Sequence, residues 1–282
     1  MKLIVDSGSS KTHWHLQYDD GTAVDRFTEG MNPHFTSDEG FAQCLHEALE
    51  EVRFHGDIYF YGAGCGNEVS RRRYQSLFSE HCSDALVHVD DDMTGACRAL
   101  LGRKAGLVGI LGTGSNACRY DGQCITQRSI STGFILGDEG SGNHIGRCLW
   151  KDFWAGRMPA DLESAFMQFH QLSLPEFLDR LYRQPAANRF LATAAPFALQ
   201  HRSEPYMHDL LVRCMREYLQ EQVVTLCKKG EHPSLSLTGS VAANFKDELT
   251  EAAADTNIAI GQVMAQPMEG LISYHTNEKR KN

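Results

Sequence analysis

The stretch Leu3-Ile4-Val5-Asp6-Ser7-Gly8-Ser9-Ser10-Lys11-Thr12 runs from an apolar segment through an acid into a glycine turn. A short apolar run bounded by turn residues predicts a buried strand over 2–6. The Asp20-Gly21 pair then predicts the turn of a hairpin over about 13–27. A tight turn after a strand can direct successive N–H groups at phosphate oxygens. The stretch therefore predicts a phosphate-binding strand-turn-strand unit, with a plain turn as the alternative.

A second segment, Val108-Gly-Ile-Leu-Gly-Thr-Gly-Ser115, repeats this pattern about a hundred residues later. Each segment is followed by a similar turn, Tyr18-Asp-Asp-Gly in the first case and Tyr120-Asp-Gly in the second. A repeat of this kind favours two related halves, each carrying one glycine loop. The alternative is that any two strand-turn-strand segments look alike.

The remaining pattern predicts a parallel α/β sheet followed by a mostly helical region. Thr36 and Glu39 have the spacing of a capping box at the start of a helix. Further strands are predicted at Ile58–Tyr61 and Ala85–Val89, with a helix over 67–80 between them. Later helices are predicted near 141–155, 161–170, 175–200 and 205–229, then a strand-helix pair over 234–253 and a strand near 257–264.

Composition excludes several classes of protein. The formal charge is -9 and no basic run occurs, which opposes a nucleic-acid surface. No stretch approaches the roughly 20 apolar residues of a membrane span, and Asp6 interrupts the N-terminal apolar run before a signal peptide could form. The nine cysteines include no C-x-x-C pair, which fits thiols in a reducing compartment. We therefore expect a cytoplasmic protein.

Three strand-to-glycine junctions could hold a nucleotide. After the first strand, Asp6 is placed to hold Mg through water, and Lys11 could offset phosphate charge. The loop Gly112-Thr-Gly-Ser115 offers hydroxyls and amides to the other side of a triphosphate. In Leu237-Thr-Gly-Ser-Val-Ala242, small residues would let adenosine lie flat against the backbone. Each junction taken singly could equally be a plain tight turn, and no Walker sequence occurs.

Acidic and amide side chains near these junctions are candidates for chemistry. Asp90-Asp-Asp92 lies between a strand and a helix, where one carboxylate could cap the helix and one could accept a proton from an attacking hydroxyl. The residues alone do not decide which acid is the base. Asp138 and Glu139, in Gly137-Asp-Glu-Gly-Ser-Gly142, could accept hydrogen bonds from sugar hydroxyls, and Asn32 could add an amide.

Taken together, these residues resemble the N-acetylglucosamine kinase branch of the BadF/BadG-type ATPases, within the actin/hexokinase/Hsp70 superfamily. The resemblance covers nearly the whole chain, and the joint order of its motifs makes it specific. The motifs are Asp6–Thr12, Asn32-Pro33, Phe60-Tyr-Gly-Ala-Gly64, Asp92 with Gly95-Ala96, Gly112-Thr-Gly-Ser-Asn116, Gly137–Gly142 and Gly239-Ser240.

The resemblance implies an α/β fold of two ribonuclease-H-like, actin-type domains facing a central cleft. The N-terminal domain would cover 1–106 and the C-terminal domain 107–282, the latter with a helical insertion. The last 15 or so residues are expected to pack back on the first domain.

The resemblance also implies the role of each site residue. Asp92 is the catalytic base and Asp6 organises Mg. The sugar is contacted by Asn32, Asn116 and Asp138, with Gly133 in the neighbouring segment. ATP and its phosphates are held by Gly8, Ser9, Ser10, Lys11, Thr12, Gly112, Thr113, Gly114, Ser115, Gly239 and Ser240. Ser131-Thr-Gly133-Phe replaces the Gly-Gly-aromatic pattern of the family, which leaves the identity of the sugar open.

The expected function is that of an enzyme, an ATP-dependent kinase with Mg that phosphorylates an amino sugar, N-acetylglucosamine first. N-acetylmuramic acid, glucosamine and related sugars stay open as acceptors. Two alternatives are an ATPase that activates an iron-sulfur dehydratase, for which Cys65 is the nearest candidate ligand, and a catalytically silent sugar sensor. The expected partner is a small amino sugar and a homodimer is a candidate assembly, whereas no nucleic acid or membrane is expected.

Overall fold

The computed structural model describes residues 1–50 and 52–278, and the chain divides into two compact units. Unit 1 contains Met1–Arg103 together with the chain from Gln266 onward, and unit 2 contains Lys104–Ala265. Each unit has its own five-stranded mixed sheet. The predicted α/β class is therefore confirmed. No helix among the described residues is long and apolar enough to cross a membrane.

Unit 1 is a sheet in the order β3-β2-β1-β4-β5 with helices packed on it. Strands β1, β2 and β3 are antiparallel neighbours, whereas β4 and β5 run parallel to β1. The elements are β1 (Lys2–Ser7), β2 (Lys11–Gln17), β3 (Ala23–Glu29), α1 (Asp38–Leu49), β4 (Gly56–Gly62), α2 (Glu68–His81), β5 (Ala85–Asp91), α3 (Asp92–Leu101) and, at the other end of the chain, α13 (Met268–Glu278).

Unit 2 repeats the same topology with more helices. Its sheet order is β10-β9-β6-β7-β8, so β6 takes the central place that β1 has in unit 1. The elements are β6 (Gly106–Leu111), β7 (Ser115–Tyr120), β8 (Ile125–Arg128), α4 (Gly133–Leu136), α5 (Gly142–Trp154), α6 (Ala160–His170), α7 (Leu174–Tyr182), α8 (Ala187–Ala192), α9 (Ala195–Gln200), α10 (Pro205–Tyr218), β9 (Ser234–Thr238), α11 (Ser240–Asn244), α12 (Lys246–Ala253) and β10 (Ala259–Met264).

The internal repeat predicted from the two glycine segments is confirmed by these two sheets. In each sheet a central strand is followed by an antiparallel hairpin and flanked by two parallel strands. Parallel strands present their carboxyl ends at one edge of a sheet, where ligands bind in open α/β folds. Each unit therefore has one edge that collects its glycine loop and the ends of its parallel strands.

Helix boundaries differ from the sequence pattern at four places, one of which is the helix predicted within 234–253, which is two helices, α11 and α12. The N-cap of α1 is Ser37, whose hydroxyl accepts from the Gly40 N–H at 3.1 Å, and not Thr36. The helix predicted over 175–200 is three helices, because Pro185 and Pro196 each remove a backbone donor within that span. The segment predicted as one helix over 205–229 ends its α-helical part at Tyr218 and continues as a π turn and a 3₁₀ turn to Leu226.

Each sheet is held by its own apolar core. In unit 1, Phe41 from α1 and Phe78 from α2 meet at a ring-centroid distance of 4.8 Å above the sheet. In unit 2, Trp150 of α5 stands among rings from α6 and α7. Helix α13 packs on α3 and β1, and the Lys2 ammonium donates to the His275 carbonyl oxygen at 2.6 Å. Helix α13 therefore belongs to unit 1.

Candidate functional site

The carboxyl edge of the unit 1 sheet collects three strand ends. Ser7 of β1 pairs with Gly62 of β4, which pairs with Asp91 of β5. Asp6 therefore lies one residue inside this edge, and Asp92 follows directly as the first residue of α3. Residues 86 positions apart in sequence are thereby brought to one edge. We call this the carboxylate edge.

The three adjacent acids at the start of α3 have different partners. Asp90 forms an ion pair with Arg98, with 2.6 Å between Oδ2 and Nη1. Asp91 is buried and is the N-cap of α3, since its carboxylate accepts from the Thr94 N–H at 2.7 Å. Asp92 accepts from the Met93 N–H at 2.9 Å and is partly exposed at the edge. Capping, which the sequence could not assign, therefore belongs to Asp91.

Asp6 and Asp92 are electrostatically coupled. Burial first, and then the negative charge of Asp92, raise the pKa of the Asp6 carboxyl to about 7. Two carboxylates that repel each other in a poorly hydrated place resist joint ionisation. A divalent cation would relieve that repulsion, and carboxylate oxygen is a ligand that Mg²⁺ prefers. The donor set at this edge therefore fits Mg²⁺.

Hydrogen bonds within the protein fix the turn after β1. The Gly8 N–H donates to the Lys11 carbonyl oxygen at 3.0 Å. The hydroxyls of Ser7 and Thr12 are 2.8 Å apart, and Thr12 donates to the Glu29 carbonyl oxygen. Because the Thr12 side chain is fully buried in these bonds, it supports the turn. These bonds give the Thr12 side chain a structural role, and the phosphate contact of Thr12 stays a prediction.

Two other features of this turn bear on the predictions. The Lys11 ammonium lies 3.7 Å from the centre of the Phe27 ring, a cation-π contact with the neighbouring strand. The backbone of Gly8 and Ser9 runs so close to Gly30 that a Cβ there would come within 2.5 Å of the Gly8 carbonyl oxygen. The shape of the predicted phosphate turn thus depends on Gly30, to which the sequence reasoning gave no role.

Asn32 belongs to the same unit and is held in a local turn. Its side-chain oxygen accepts from the His34 N–H at 3.0 Å. The amide also lies against Gly64 in the turn after β4, where it would overlap any Cβ. Cys65 follows in that turn, and its thiol pKa is raised to about 12, first by burial and then by Asp92. Asn32 is therefore connected to the carboxylate edge through the β4 turn.

The carboxyl edge of the unit 2 sheet brings two glycine loops together. Ile110 of β6 pairs with Thr238 of β9, so Gly112 and Gly239 follow neighbouring parallel strands. Gly239 has φ +119°, and a Cβ there would overlap the Leu111 carbonyl oxygen. Gly239 is thus required by the backbone itself, whether or not adenosine lies on it. Ser240 begins α11 directly after it. We call this second edge the glycine edge.

The Asp138 side chain is hydrogen-bonded to the glycine loop. Its carboxylate accepts from the Ser115 N–H at 3.2 Å and from the Asn143 side-chain amide at 2.8 Å. Asn143 also donates to the Thr113 carbonyl oxygen at 2.7 Å. A carboxylate has about four lone-pair sites, so Asp138 can still accept from a ligand hydroxyl. Its φ of +56° shows that the loop imposes an unusual backbone on a non-glycine residue.

Of the other site residues predicted in unit 2, Asn116 and Ser115 form hydrogen bonds within the protein, whereas Gly133 is exposed. The Asn116 side-chain oxygen accepts from the Ala117 N–H and from the Ser129 hydroxyl at 2.9 Å. The buried Ser115 hydroxyl accepts from the Gln222 side chain at 2.8 Å. Gly133 is exposed at the start of α4 with φ +73°, and no atom lies within 4 Å of its would-be Cβ. The sugar contact predicted for Gly133 stays a prediction.

Sequence reasoning missed Glu139, Gln222 and Asn143 as the support of the glycine loop. The Gln222 amide nitrogen donates to both Ser115 and Glu139, at 2.8 and 2.7 Å. Gln222 lies in the π turn after α10, which no local pattern predicts. The role of Asn143 could have been predicted from the sequence, since this residue follows a glycine-bounded acidic pair at the start of a helix.

Comparisons with known proteins agree with this architecture. No protein-family model matches the sequence, and no curated protein matches it. Among solved structures, a Porphyromonas gingivalis protein described as a "putative N-acetylglucosamine kinase" is 34% identical, with a TM-score of 0.91. The match covers 99% of this chain and 100% of that one. The chain belongs to the family of that protein. The family relationship thus extends over both units.

Two more distant structures share the fold. One from Chromobacterium violaceum, which carries the same description, is 17% identical with a TM-score of 0.73, and 97% of this chain and 98% of that chain are matched. A glucokinase of the ROK family from Streptomyces griseus, solved with glucose and AMPPNP, is 12% identical with a TM-score of 0.61. That match covers 99% of each chain. The fold is therefore that of the two-domain actin-like ATPases and ROK kinases.

Proposed function

We propose that the chain is a Mg- and ATP-dependent sugar kinase of the BadF/BadG type, with N-acetylglucosamine as acceptor and its 6-hydroxyl as the phosphorylated group. The observation that carries the proposal is the division of roles among three adjacent acids. Asp90 is paired with Arg98 and Asp91 caps α3, whereas Asp92 faces Asp6. Family membership with the Porphyromonas gingivalis protein supports the substrate class.

In this proposal Asp92 accepts the proton of the sugar hydroxyl and orients its oxygen for attack on the γ-phosphate. Asp6 would hold Mg²⁺ through water, and the charge of Asp92, which is coupled to Asp6, would act on the same ion. When bound, Mg²⁺ neutralises the phosphate charge that builds up during transfer. The raised pKa of Asp6 supports this role, because a carboxyl that resists ionisation alone is stabilised as a carboxylate by a cation.

The backbone of the two glycine loops supplies the proposed phosphate contacts. The Gly8–Lys11 loop would contribute the Lys11 ammonium and backbone amides other than the Gly8 N–H, which donates to the Lys11 carbonyl oxygen. The Gly112–Ser115 loop would contribute a second set, apart from the Gly112 and Ser115 N–H groups that donate to Gly114 and Asp138. Gly239 and Ser240 provide the flat backbone against which adenosine would rest. Since Asp138 and Asn143 hold the second loop from one side, its shape is set before the nucleotide arrives.

The direct test is a coupled assay of ADP release over a panel of amino sugars. We expect N-acetylglucosamine to stimulate ATP consumption, with the 6-phosphate as product by NMR. Stimulation by another sugar alone would reassign the acceptor. ATP hydrolysis that no sugar changes, in protein that carries iron, would instead support a dehydratase activator, and no ATP turnover at all would support a sugar sensor.

Gly112→Ala tests the glycine loop without disturbing the fold. No atom lies within 4 Å of the added Cβ, and the Gly112 N–H and carbonyl bonds to Gly114 and Gly142 are kept. We expect an unchanged melting temperature but an ATP affinity weaker by about tenfold, because a methyl group would hold the phosphates off the backbone amides. Calorimetry with ATP checks this. Unchanged ATP affinity would remove Gly112 from the nucleotide site.

Asn32 offers a matched pair of variants for the sugar. Asn32→Asp keeps an oxygen for the His34 N–H but removes the amide donor, whereas Asn32→Ala removes both. We expect both to weaken sugar binding by about 0.5 to 1.5 kcal/mol and to leave ATP binding unchanged, since one neutral hydrogen bond is lost. If calorimetry shows weaker sugar binding only in Asn32→Ala, the turn matters and the amide does not touch the sugar.

A further inference from the structure

Helices α5 and α10 of unit 2 bring a histidine and two cysteines together. His144 and Cys148 lie one turn apart on α5, and Cys214 faces them from α10. The His144 nitrogen and the two sulfur atoms all lie within 4.8 Å of one another. His144 and Cys214 are buried, whereas Cys148 is partly exposed. Neither cysteine has a role in the proposed kinase chemistry.

The hydrogen bonds of His144 determine which of its two ring nitrogens carries the proton. The Gly140 N–H donates to His144 Nδ1 at 3.0 Å, so Nδ1 is the acceptor and Nε2 carries the proton. His144 Nε2 lies 3.7 Å from the Cys148 sulfur and 3.2 Å from a Glu217 carboxylate oxygen. A metal bound at Nε2 would need the lone pair that the proton occupies. The geometry therefore favours thiol chemistry over a metal site.

The surroundings favour the thiolate form of Cys148. Its pKa lies well below the ordinary value, first because the Cys214 thiol donates a hydrogen bond to it, and then because His144 does. The hydrogen bond that the Cys214 thiol donates to Cys148, together with burial, raises the pKa of Cys214. The thiolate is the nucleophile in cysteine chemistry. One reactive and one protonated thiol thus lie within 4.8 Å of each other.

We propose that Cys148 is a peroxide-reactive site and that Cys214 converts its oxidised form into a reversible disulfide between α5 and α10. The Cys148 sulfur attacks one oxygen of hydrogen peroxide, the O–O bond breaks, and the released hydroxide takes a proton to become water. The Cys214 sulfur then attacks the Cys148 sulfenic acid. Its S–O bond breaks, and the second hydroxide leaves as water with the Cys214 proton. Two thiols lose two electrons, which peroxide gains.

The disulfide would act on the glycine edge through α5. A disulfide requires about 2.05 Å between the sulfurs, so α5 and α10 must adjust. The first residue of α5, Gly142, donates to the Gly112 carbonyl oxygen at 2.8 Å, and Asn143 donates to Thr113. We therefore expect oxidation to lower kinase activity, a consequence that rests on the proposed function. The disulfide itself does not.

The test uses the full chain, first reduced and then treated with hydrogen peroxide at pH 7. Because the thiolate is the nucleophile, Cys148 should react on the order of tenfold faster than the exposed Cys124. Peptide mapping should find a Cys148–Cys214 disulfide that dithiothreitol reverses. In Cys214→Ser, a dimedone adduct should accumulate on Cys148, and Cys124→Ser should behave as the parent.

Two results would overturn the proposal. One is oxidation of Cys148 at the rate of Cys124 with no cross-linked peptide. The other is stoichiometric retention of Zn²⁺ by the reduced protein that blocks the reaction, which would make the cluster a metal site. A disulfide that forms without changing ATP turnover would refute only the coupling to the glycine edge. If the reduced protein phosphorylates no sugar, the proposed function fails while the mapping still decides the disulfide.

Discussion

Asp92→Asn is expected to lower the turnover of sugar phosphorylation by about a hundredfold or more, while the melting temperature and ATP affinity stay near those of the parent. The carboxylate that would accept the hydroxyl proton is replaced by an amide of nearly the same shape that cannot accept it. The fold should survive, because Asp91 and not Asp92 caps α3. Steady-state kinetics with a thermal melt measure both parts of this expectation.

The two neighbouring acids supply the controls. In Asp91→Asn the cap is kept, since Asn and Asp are comparable N-caps, so turnover should change little. In Asp90→Asn the ion pair with Arg98 is weakened, and because both side chains are partly exposed the loss of stability should be about 1 kcal/mol or less. Near-normal turnover in Asp92→Asn beside an inactive Asp90 or Asp91 variant would show that another acid is the base.

A helix N-terminus stabilises a carboxylate, which lowers its basicity and at first sight opposes a base at Asp92. Two features counter this objection. Asp92 repels the Asp6 carboxylate, which works in the opposite direction. In a loose phosphoryl-transfer transition state the proton can also leave late, so that orienting the hydroxyl matters as much as accepting its proton.

The predicted parallel strands agree with the structure because each has a short apolar run with turn residues at its ends, and the β2–β3 hairpin agrees because Asp20-Gly21 marks its turn. The repeat was visible for the same reason, since Leu3–Ser10 and Val108–Ser115 both go from a central strand into a glycine turn. Helix boundaries were less predictable where neighbouring residues could each serve as the N-cap. Thr36 and Ser37 could both cap α1, and only the backbone geometry selects Ser37. Helix α13 at the end of the chain was not predicted.

Part of the candidate site could be predicted because it follows strand ends that a parallel sheet must place together, as with Asp6 and Asp92. The supporting contacts could not, since they join distant segments without any local pattern. Gln222 reaches Ser115 across 107 positions. Cys148 meets Cys214 only because α5 packs on α10. Thr12 matched the phosphate motif by position, yet its hydroxyl is used inside the turn.

Gly239→Ala is expected to destabilise unit 2 by about 2 to 6 kcal/mol, the sum of two effects. A φ of +119° is strained for any residue with a side chain, which costs about 1 to 3 kcal/mol. The added methyl group would also overlap the Leu111 carbonyl oxygen, and overpacking of this kind costs about 1 to 3 kcal/mol. A thermal melt should show the loss as a lower transition temperature or as insoluble protein.

This expectation changes how an inactive Gly239 variant should be interpreted. Its loss of activity would follow from the backbone alone, so it would not be evidence that adenosine lies on Gly239. Gly112→Ala is the matched control on the same edge, because its added methyl group meets no atom within 4 Å. A Gly239→Ala protein that melts with the parent and loses only ATP affinity would contradict the backbone argument. It would place the nucleotide, and not Leu111, against that position.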